Sequence, residues 1–170
     1  MANQFLRWLN QQTFSRPLVE AVSTLYTGIR PATESELRRL VPLASKTEHQ
    51  LYRKDYESNL QAIQKEDSDF VADILDGSAY AYTKTGDDLV VFAPRNDGFF
   101  IYDLFVGESS RNQGIGSELL QFVLDRASKL PVRLAVAKGN IGAQRLYSKN
   151  GFVIDGETAD QYRMVTSNRS

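Results

Sequence analysis

The sequence predicts an α/β (α+β) fold in which a mixed central sheet of about seven strands is covered by helices. Segments whose apolar residues recur at every second position alternate with segments whose apolar residues recur at helical spacing. Their order is one strand, helices, three strands, a helix, a strand, a helix and two strands. The 170 residues are enough for one ordinary domain. We therefore expect this domain at 24–170, preceded by a helical appendage at 1–23.

The appendage is predicted from an apolar face on a short helix. Phe5, Trp8 and Leu9 share that face, and Pro17 is suited to open a second short helix. A helix that lies on a membrane surface normally carries a cationic face, whereas Arg7 is the only early cation here. We expect the appendage to pack on the domain or on a second copy of the chain, which leaves a homodimer among the expectations.

The first strand is predicted at 25–30, where Pro31 ends it. Thr33 and Glu36 have the spacing of a capping box and predict the start of a helix, which Pro42 is expected to kink or end. A longer polar helix is predicted at about 47–65 from its apolar stripe, and 70–75 suggests one further helical turn.

Strands follow in the middle of the chain. The segments 79–83 and 89–92 are strand-like, and the Gly-Asp-Asp at 86–88 predicts a hairpin between them. A second tight turn at 96–98 leads into 99–106, whose aromatic and β-branched residues predict a central strand.

The last third alternates between helices and strands. Helices are predicted at 117–130 and 140–150, where Pro131 and Gly151 respectively end them. Strands are predicted at 132–136, 152–154 and 162–165.

Composition excludes several classes of function. The formal net charge is −1, and no basic face is clustered as in nucleic-acid binders, so we expect no nucleic-acid partner. No apolar run could span a bilayer, and Arg7 interrupts the apolar start before a signal-peptide core forms, so a cytoplasmic protein is expected. Cysteine is absent and His49 is the only histidine, so no metal site is expected.

A glycine loop is the most informative segment. A strand ends at Val106, and a short polar loop then leads to Gly114 and Gly116 at the start of an amphipathic helix. Helix N-termini bind anions through unpaired N–H groups, and glycines let a phosphate approach the backbone. Arg111 adds a full positive charge.

The ATP and GTP loop would require a lysine after the last glycine, and the dinucleotide fingerprint would require a third glycine where Leu119 stands. A glycine cap without any ligand remains the alternative.

The segment Arg111-Asn112-Gln113-Gly114-Ile115-Gly116 resembles the Arg/Gln-x-x-Gly-x-Gly/Ala motif of the GCN5-related N-acetyltransferase (GNAT) family. In that family the N–H groups of the loop bind the pyrophosphate of coenzyme A. The resemblance covers 101–164 well and 26–92 by strand order alone, and it implies that 24–170 is an N-acetyltransferase domain.

A second segment supports the resemblance. Asn140, Ala143 and Tyr147 fall on one helical face, and the small residue between two polar ones leaves a shallow channel that suits a pantetheine arm. The pattern Asn-x-x-Ala-x-x-Leu-Tyr-x-x-x-Gly-Phe also resembles the family's second conserved segment. Without the resemblance, an N-cap asparagine, a core alanine and a packed tyrosine would explain the same residues.

The resemblance implies a mechanism with acetyl-CoA as the cosubstrate. Backbone N–H groups around Phe105 and Val106 would polarise the thioester carbonyl, and Tyr147 would protonate the leaving sulfur. Asp103 is the candidate general base, acting directly or through water; alternatively, an aspartate at this position would hold the acceptor ammonium or serve the structure. The residues expected to bind the coenzyme are Phe105, Val106, Arg111, Asn112, Gln113, Gly114, Ile115, Gly116, Ser117, Asn140, Ala143 and Tyr147.

The motifs do not specify the acceptor. A small-molecule primary amine is our first expectation, and a peptide N-terminus or lysine is the second. A module that binds coenzyme A without transferring an acyl group is the alternative from another class. Aromatic residues of the predicted strands are candidate walls of an acceptor pocket or, alternatively, members of the core; they are Tyr80, Tyr82, Phe99, Phe100 and Tyr102.

Overall fold

The computed structural model describes residues 26, 28–51 and 58–166. The strands are β1 (Arg30–Pro31), β2 (Tyr80–Thr83), β3 (Asp88–Arg95), β4 (Gly98–Val106), β5 (Val132–Ala137), β6 (Phe152–Glu157) and β7 (Gln161–Thr166). The helices are α1 (Glu34–Leu51), α2 (Leu60–Leu75), α3 (Ile115–Ala127) and α4 (Ile141–Lys149), with a 3-10 turn at Glu108–Ser110. The order of elements agrees with the order predicted from the sequence. The predicted appendage at 1–23 lies outside the described residues.

The strands form one seven-stranded mixed sheet with the order β1-β2-β3-β4-β5-β7-β6. All neighbours are antiparallel except β4 and β5, which are parallel. The parallel pair arises because α3 connects β4 to β5 as a crossover. The predicted fold class of a helix-covered mixed sheet is therefore confirmed.

Helices cover both faces of the sheet and form two cores. On one face α1 and α2 bury a cluster that includes Leu37, Leu40 and Val91. On the other face α3 buries a cluster around Phe92 and Phe122. Strand β3 contributes to both cores, because successive side chains of a strand point to opposite faces.

The capping box forms as predicted. The backbone N–H of Thr33 donates to Glu36 Oε2 at 2.8 Å, and the backbone N–H of Glu36 donates to Thr33 Oγ1 at 3.3 Å. Arg30 holds the same carboxylate with two hydrogen bonds of 2.6 and 2.8 Å. This interaction comes first among the causes that lower the pKa of Glu36 to about 2.

Two predicted helix bounds are wrong. Pro42 does not end the first helix, because α1 continues through it to Leu51. The buried positions Leu40, Val41 and Ala44 on either side of the proline pack on the sheet, and this burial outweighs the local cost of the missing N–H. The long helix predicted at about 47–65 is two helices, since Ser58 and Asn59 form a turn before α2. The ambiguous segment 70–75 is the end of α2.

The first strand is shorter than predicted and lies later in the chain. Gly28 adopts a left-handed φ of 89°, and the Ile29 N–H donates to the carbonyl of Tyr26 at 3.3 Å, so a turn precedes the strand. Among the described residues that precede α1, Arg30 and Pro31 are the ones that pair with β2. Pro31 is part of the strand, because a proline is tolerated where its missing N–H faces away from the pairing edge.

Strand β4 carries a β-bulge where it separates from β5. Val91 pairs with Asp103 and Phe92 pairs with Ile101, so Tyr102 is the extra residue. The parallel pairing with β5 stops at Ile101. A bulge bends its strand, and the two central strands are thus open toward their carboxyl ends.

Candidate functional site

The opening between β4 and β5 leads into a cleft made of two adjoining cavities. The smaller cavity, of about 100 Å³, lies between the ends of these strands and α1. The larger cavity, of about 580 Å³, lies between β4, the glycine loop and α4. The residues that line both are Thr47, Leu51, Leu104, Phe105, Asn140 and Tyr147.

The glycine loop forms one wall of the larger cavity. Asn112 and Gly114 adopt left-handed φ angles of 60° and 81°, which turn the chain sharply into α3. The Nε of Arg111 donates to the carbonyl of Val106 at 3.1 Å, and the side chain of Gln113 donates to the carbonyl of Ser109 at 2.9 Å. These bonds tie the loop to the end of β4.

The N-terminus of α3 opens toward the same cavity. Gly114 is its N-cap and makes no side-chain capping bond. The backbone N–H groups of Ile115, Gly116 and Ser117 have no acceptor within the helix, because the first such bond runs from Glu118 to Gly114 at 3.1 Å. All three residues line the cavity. Together with the cation of Arg111 they offer an anion site of the kind that binds phosphate groups.

The space in front of Gly114 fits a bulky anionic group. A Cβ added to Gly114 would meet no atom within 4 Å, so the protein leaves the approach to this backbone open. The glycine is required by its φ of 81° rather than by crowding. The loop therefore fits the diphosphate of a coenzyme.

The β2–β3 hairpin supports the loop from behind. The N–H of Gly107 donates to the carbonyl of Asp87 at 2.8 Å, and Ser109 Oγ donates to the Asp87 carboxylate at 2.9 Å. A side chain at Gly107 would overlap that carboxylate. The loop is thus anchored on both sides, which keeps its backbone donors in fixed positions.

Helix α4 forms the opposite wall. Asn140 is its N-cap and accepts a hydrogen bond from the Ala143 N–H at 3.1 Å. Ala143, Leu146 and Tyr147 face the cavity from the helix. Asn140 therefore both caps the helix and lines the cleft.

Tyr147 lies at the junction of the two cavities. Its side chain is buried with 6% of its surface exposed, and its ring packs on Phe152 at a centroid distance of 5.7 Å. Burial raises the pKa of the phenol, and the nearby negative charges of Asp103 and Glu48 raise it further. The phenol therefore stays protonated throughout the neutral range.

Asp103 lines the smaller cavity from β4. Burial raises the pKa of its carboxyl group to about 7; the negative charges of Glu48 and Asp67 add to this effect, while a hydrogen bond from the Leu104 N–H opposes it. The carboxyl group can thus exchange a proton near neutral pH, as a general acid or base must.

The linings include nearly all of the residues predicted from the sequence. Asp103 lines the smaller cavity, and the predicted coenzyme-binding residues line the larger one, except Gln113. Among the five aromatic candidates for an acceptor wall, Tyr102 lines the smaller cavity, while Tyr82 is part of a core. His49 is half-buried outside both linings, with Nδ1 2.8 Å from the carbonyl of Ser45.

The sequence analysis missed the contribution of α1. Ala44, Thr47, Glu48 and Leu51 line the smaller cavity at i, i+3, i+4 and i+7 spacing, so one face of the helix forms its wall. Small residues next to the apolar Leu51 were the available signal. The wrong boundary at about 47–65 placed these residues on two different predicted helices.

The described parts of the chain contain neither a cluster of metal ligands nor a membrane-spanning helix. No group of three or more His, Cys, Asp or Glu side chains could hold a metal ion there. No helix in those parts has the length and apolar character needed to cross a membrane.

Solved structures share this fold at low sequence identity. The PaiA N-acetyltransferase of Thermoplasma acidophilum, solved with coenzyme A, is 17% identical with a TM-score of 0.65, over 82% of this chain and 97% of that one. A GNAT acetyltransferase of Staphylococcus aureus Mu50 is 18% identical with a TM-score of 0.62, over 81% and 96%. Ard1 of Thermoplasma volcanium is 24% identical with a TM-score of 0.57, over 84% and 97%.

These likenesses show the fold, and a family model shows the family. The model of the acetyltransferase (GNAT) family matches residues 34–152, which span α1 to the start of β6 and include both walls of the cleft. The chain therefore belongs to the GNAT family of acetyltransferases.

Proposed function

We propose that the chain transfers the acetyl group of acetyl-CoA to the primary amine of a small molecule by direct attack. One observation carries the proposal. A single cleft has the N-terminus of α3 at one end and Asp103 at the other, with Tyr147 at the junction of its two cavities. An acyl donor with a diphosphate and an acceptor amine would meet between these two ends.

The donor end is formed by the glycine loop and α4. The N–H groups of Ile115, Gly116 and Ser117, with Arg111, would hold the diphosphate, and Asn140 and Ala143 would line the pantetheine arm. The donor supplies the activated acetyl thioester. Beyond Ile101 the edge of β4 that faces β5 has no partner strand. A backbone N–H group near Phe105 and Val106 on that edge would stabilise the oxyanion.

Proton transfer is assigned to two residues. Asp103 would take a proton from the acceptor ammonium, after which the amine nitrogen forms the N–C bond. As the C–S bond breaks, Tyr147 would give its proton to the departing sulfur, and the tyrosinate would regain a proton from the acylated nitrogen, which leaves a neutral amide. The raised pKa of Asp103, about 7, suits the first role. We expect kcat/KM to rise as the pH rises through that value.

The acceptor class rests on the size of the smaller cavity. A volume of about 100 Å³ between β4, β5 and α1 accommodates an amino group and a few methylene groups. This favours a small amine over a peptide, whose flanking residues need a longer groove.

A thiol-release assay with purified protein and acetyl-CoA tests the proposal. The chain contains no cysteine, so every thiol that reacts with a chromogenic disulfide comes from coenzyme A. We expect release with small amines that exceeds release with peptides. Faster release with peptide N-termini or lysines would overturn the acceptor class, and saturable binding of coenzyme A without release from any amine would indicate a non-catalytic binding module.

A further inference from the structure

The two ends of the cleft carry opposite charge. Arg111 and the N-terminus of α3 make the loop end positive. The smaller cavity at the other end is lined by Asp103 and Glu48, and among the described residues that line it none is cationic. A cleft with this polarity favours an anionic donor at the glycine loop and a cationic acceptor in the smaller cavity.

Glu48 occupies a different position from Asp103. It lies on the face of α1 that walls the cavity, together with Ala44, Thr47 and Leu51, and it is the only charged member of that face. Asp103 on β4 is half-buried, whereas Glu48 on α1 is exposed to solvent. The two carboxylates therefore line one small cavity from different elements and with different exposure.

Their roles cannot be the same. In the proposed function Asp103 receives the proton of the reacting ammonium and ceases to be an anion during that step. Glu48 lines the same cavity from an exposed position on α1 and is left to attract another positive group. An acceptor that carried a carboxylate near its amine would meet two negative charges instead.

We propose that Glu48 is a specificity-determining residue that selects small amines with a second ammonium group. The inference rests on the proposed function and deepens it by naming the class of acceptor. Short linear diamines have this chemistry and fit a cavity of about 100 Å³. Glu48 would bind the distal ammonium while Asp103 faces the reacting one.

The burial of negative charge supports this assignment. Glu48 and the buried Asp67 on α2 both raise the pKa of Asp103. Asp67 Oδ2 has no hydrogen-bond partner, and its own pKa is raised by burial. Like charges held close together disfavour ionisation, and a dication in the cavity would offset their repulsion.

The test compares acceptors that differ only in the distal group. Monoamines, α,ω-diamines and ω-amino acids of equal chain length are assayed by thiol release with wild type, Glu48→Gln and Glu66→Gln. Glu66 is exposed on α2 outside both cavities, and its substitution changes the net charge by the same amount. We expect the diamine to exceed the monoamine in kcat/KM by roughly five- to tenfold in wild type and Glu66→Gln.

Glu48→Gln is expected to reduce this ratio to within about twofold, chiefly through KM, and Glu48→Asp to restore part of it. The loss of a neighbouring negative charge should also shift the acidic limb of the pH profile to lower pH. The inference is overturned if Glu48→Gln leaves the diamine-to-monoamine ratio of kcat/KM unchanged. It is also overturned if wild type prefers monoamines.

Calorimetric titration of the coenzyme-A-bound protein with the same amines gives a readout that does not need turnover. Tighter binding of the diamine that is lost in Glu48→Gln supports the inference even if no amine releases thiol, in which case only the proposed function fails. Equal binding of diamine and monoamine by wild type overturns the inference whatever the turnover.

Discussion

Tyr147 combines two properties that a proton donor to a leaving thiolate requires. Its hydroxyl belongs to a side chain that lines both cavities, where donor and acceptor would meet. Burial and the charges of Asp103 and Glu48 raise its pKa, so the proton is present at every pH at which the enzyme would act. A phenol in the bulk core would have the second property without the first.

Replacing Tyr147 with phenylalanine should therefore lower kcat while sparing coenzyme affinity. Loss of a positioned general acid typically costs 10²–10⁴-fold, and we expect a loss of about 100-fold. The dissociation constant of coenzyme A should stay within about twofold, since the aromatic ring that lines the cleft is retained. Thiol-release kinetics and calorimetry measure the two quantities.

Tyr162→Phe is the matched control, because Tyr162 is a half-buried tyrosine of β7 outside both cavities. It should leave kcat and affinity unchanged. If Tyr147→Phe has the kcat of wild type, the phenol takes no part in the reaction.

The face of the sheet on which Asp103 lies could not be predicted from the sequence. Simple alternation along 99–106 places Asp103 on the same face as Ile101. The bulge at Tyr102 shifts this alternation, so that Ile101 packs in the core under α3 whereas Phe105 packs in the core under α1. Asp103 thus falls on the α1 side, where Glu48 lies. A bulge depends on pairing with a neighbouring strand, which no local pattern specifies.

Among the elements, α3 has the most direct connection to function. Its first turn supplies backbone donors to the cavity, and Ser117 is the third residue of that turn. A negative side chain at this position interacts favourably with the helix dipole. The same charge would repel a bound diphosphate, so stability and affinity should respond in opposite directions.

We expect Ser117→Glu to raise the free energy of unfolding by about 0.3–1 kcal/mol, because the added carboxylate lies at a helix N-terminus. The dissociation constant of coenzyme A should rise by about tenfold. Urea unfolding of the free protein and calorimetric titration measure the two effects.

Ser148→Glu makes the same change of charge on an exposed position of α4 outside both cavities. It lies near a helix C-terminus, so it should lower stability slightly and leave the affinity for coenzyme A unchanged. If Ser117→Glu binds coenzyme A as tightly as wild type, the diphosphate does not lie on this turn.

The elements differ in how well their sequence specified them. The positions of α3, α4 and β7 followed to within three residues from glycine, proline and regular periodicity, which are local signals, whereas β6 continues to Glu157, beyond the predicted end at 154. The extent of α1 did not, because Pro42 is a local stop signal that burial of Leu40, Val41 and Ala44 overrides. The wall that carries Glu48 was missed for this reason, while the glycine loop and α4 were found.

At the scale of the molecule, the cleft exists because β4 and β5 separate after three residue pairs. The separated strand ends are covered by α1 from one side and by α4 from the other. Carboxylates buried in such an opening oppose folding, since burial favours their neutral forms. We therefore expect that an ionised Asp103 serves the proposed reaction, whereas an uncharged side chain at position 103 makes the folded protein more stable.

The sign of this effect follows from the direction of the pKa shift. The folded-state pKa of Asp103, about 7, lies above the unfolded value near 3.8. Between these values the unfolded chain releases the proton while the folded protein retains it, so stability falls as the pH rises through this window. Above about pH 7 the folded protein bears the full free-energy cost of the ionised Asp103 carboxylate.

Asp103→Asn removes this cost and should be more stable than wild type in alkaline solution, although it should be inactive. A shift of this size corresponds to at most ~4 kcal/mol, and the cavity's access to solvent reduces it, so we expect a gain of about 1–2 kcal/mol. The gain should be largest at pH 8 and smallest at pH 4.5, because that pH lies only just above the unfolded pKa of 3.8, so little of the cost of holding the proton in the folded state has accumulated. Glu36, whose pKa is lowered to about 2, affects both proteins alike and cancels from the difference. Urea unfolding of both proteins at pH 4.5, 6 and 8 measures the difference in their free energies of unfolding. A difference that is constant across this range would show that Asp103 ionises normally in the folded protein.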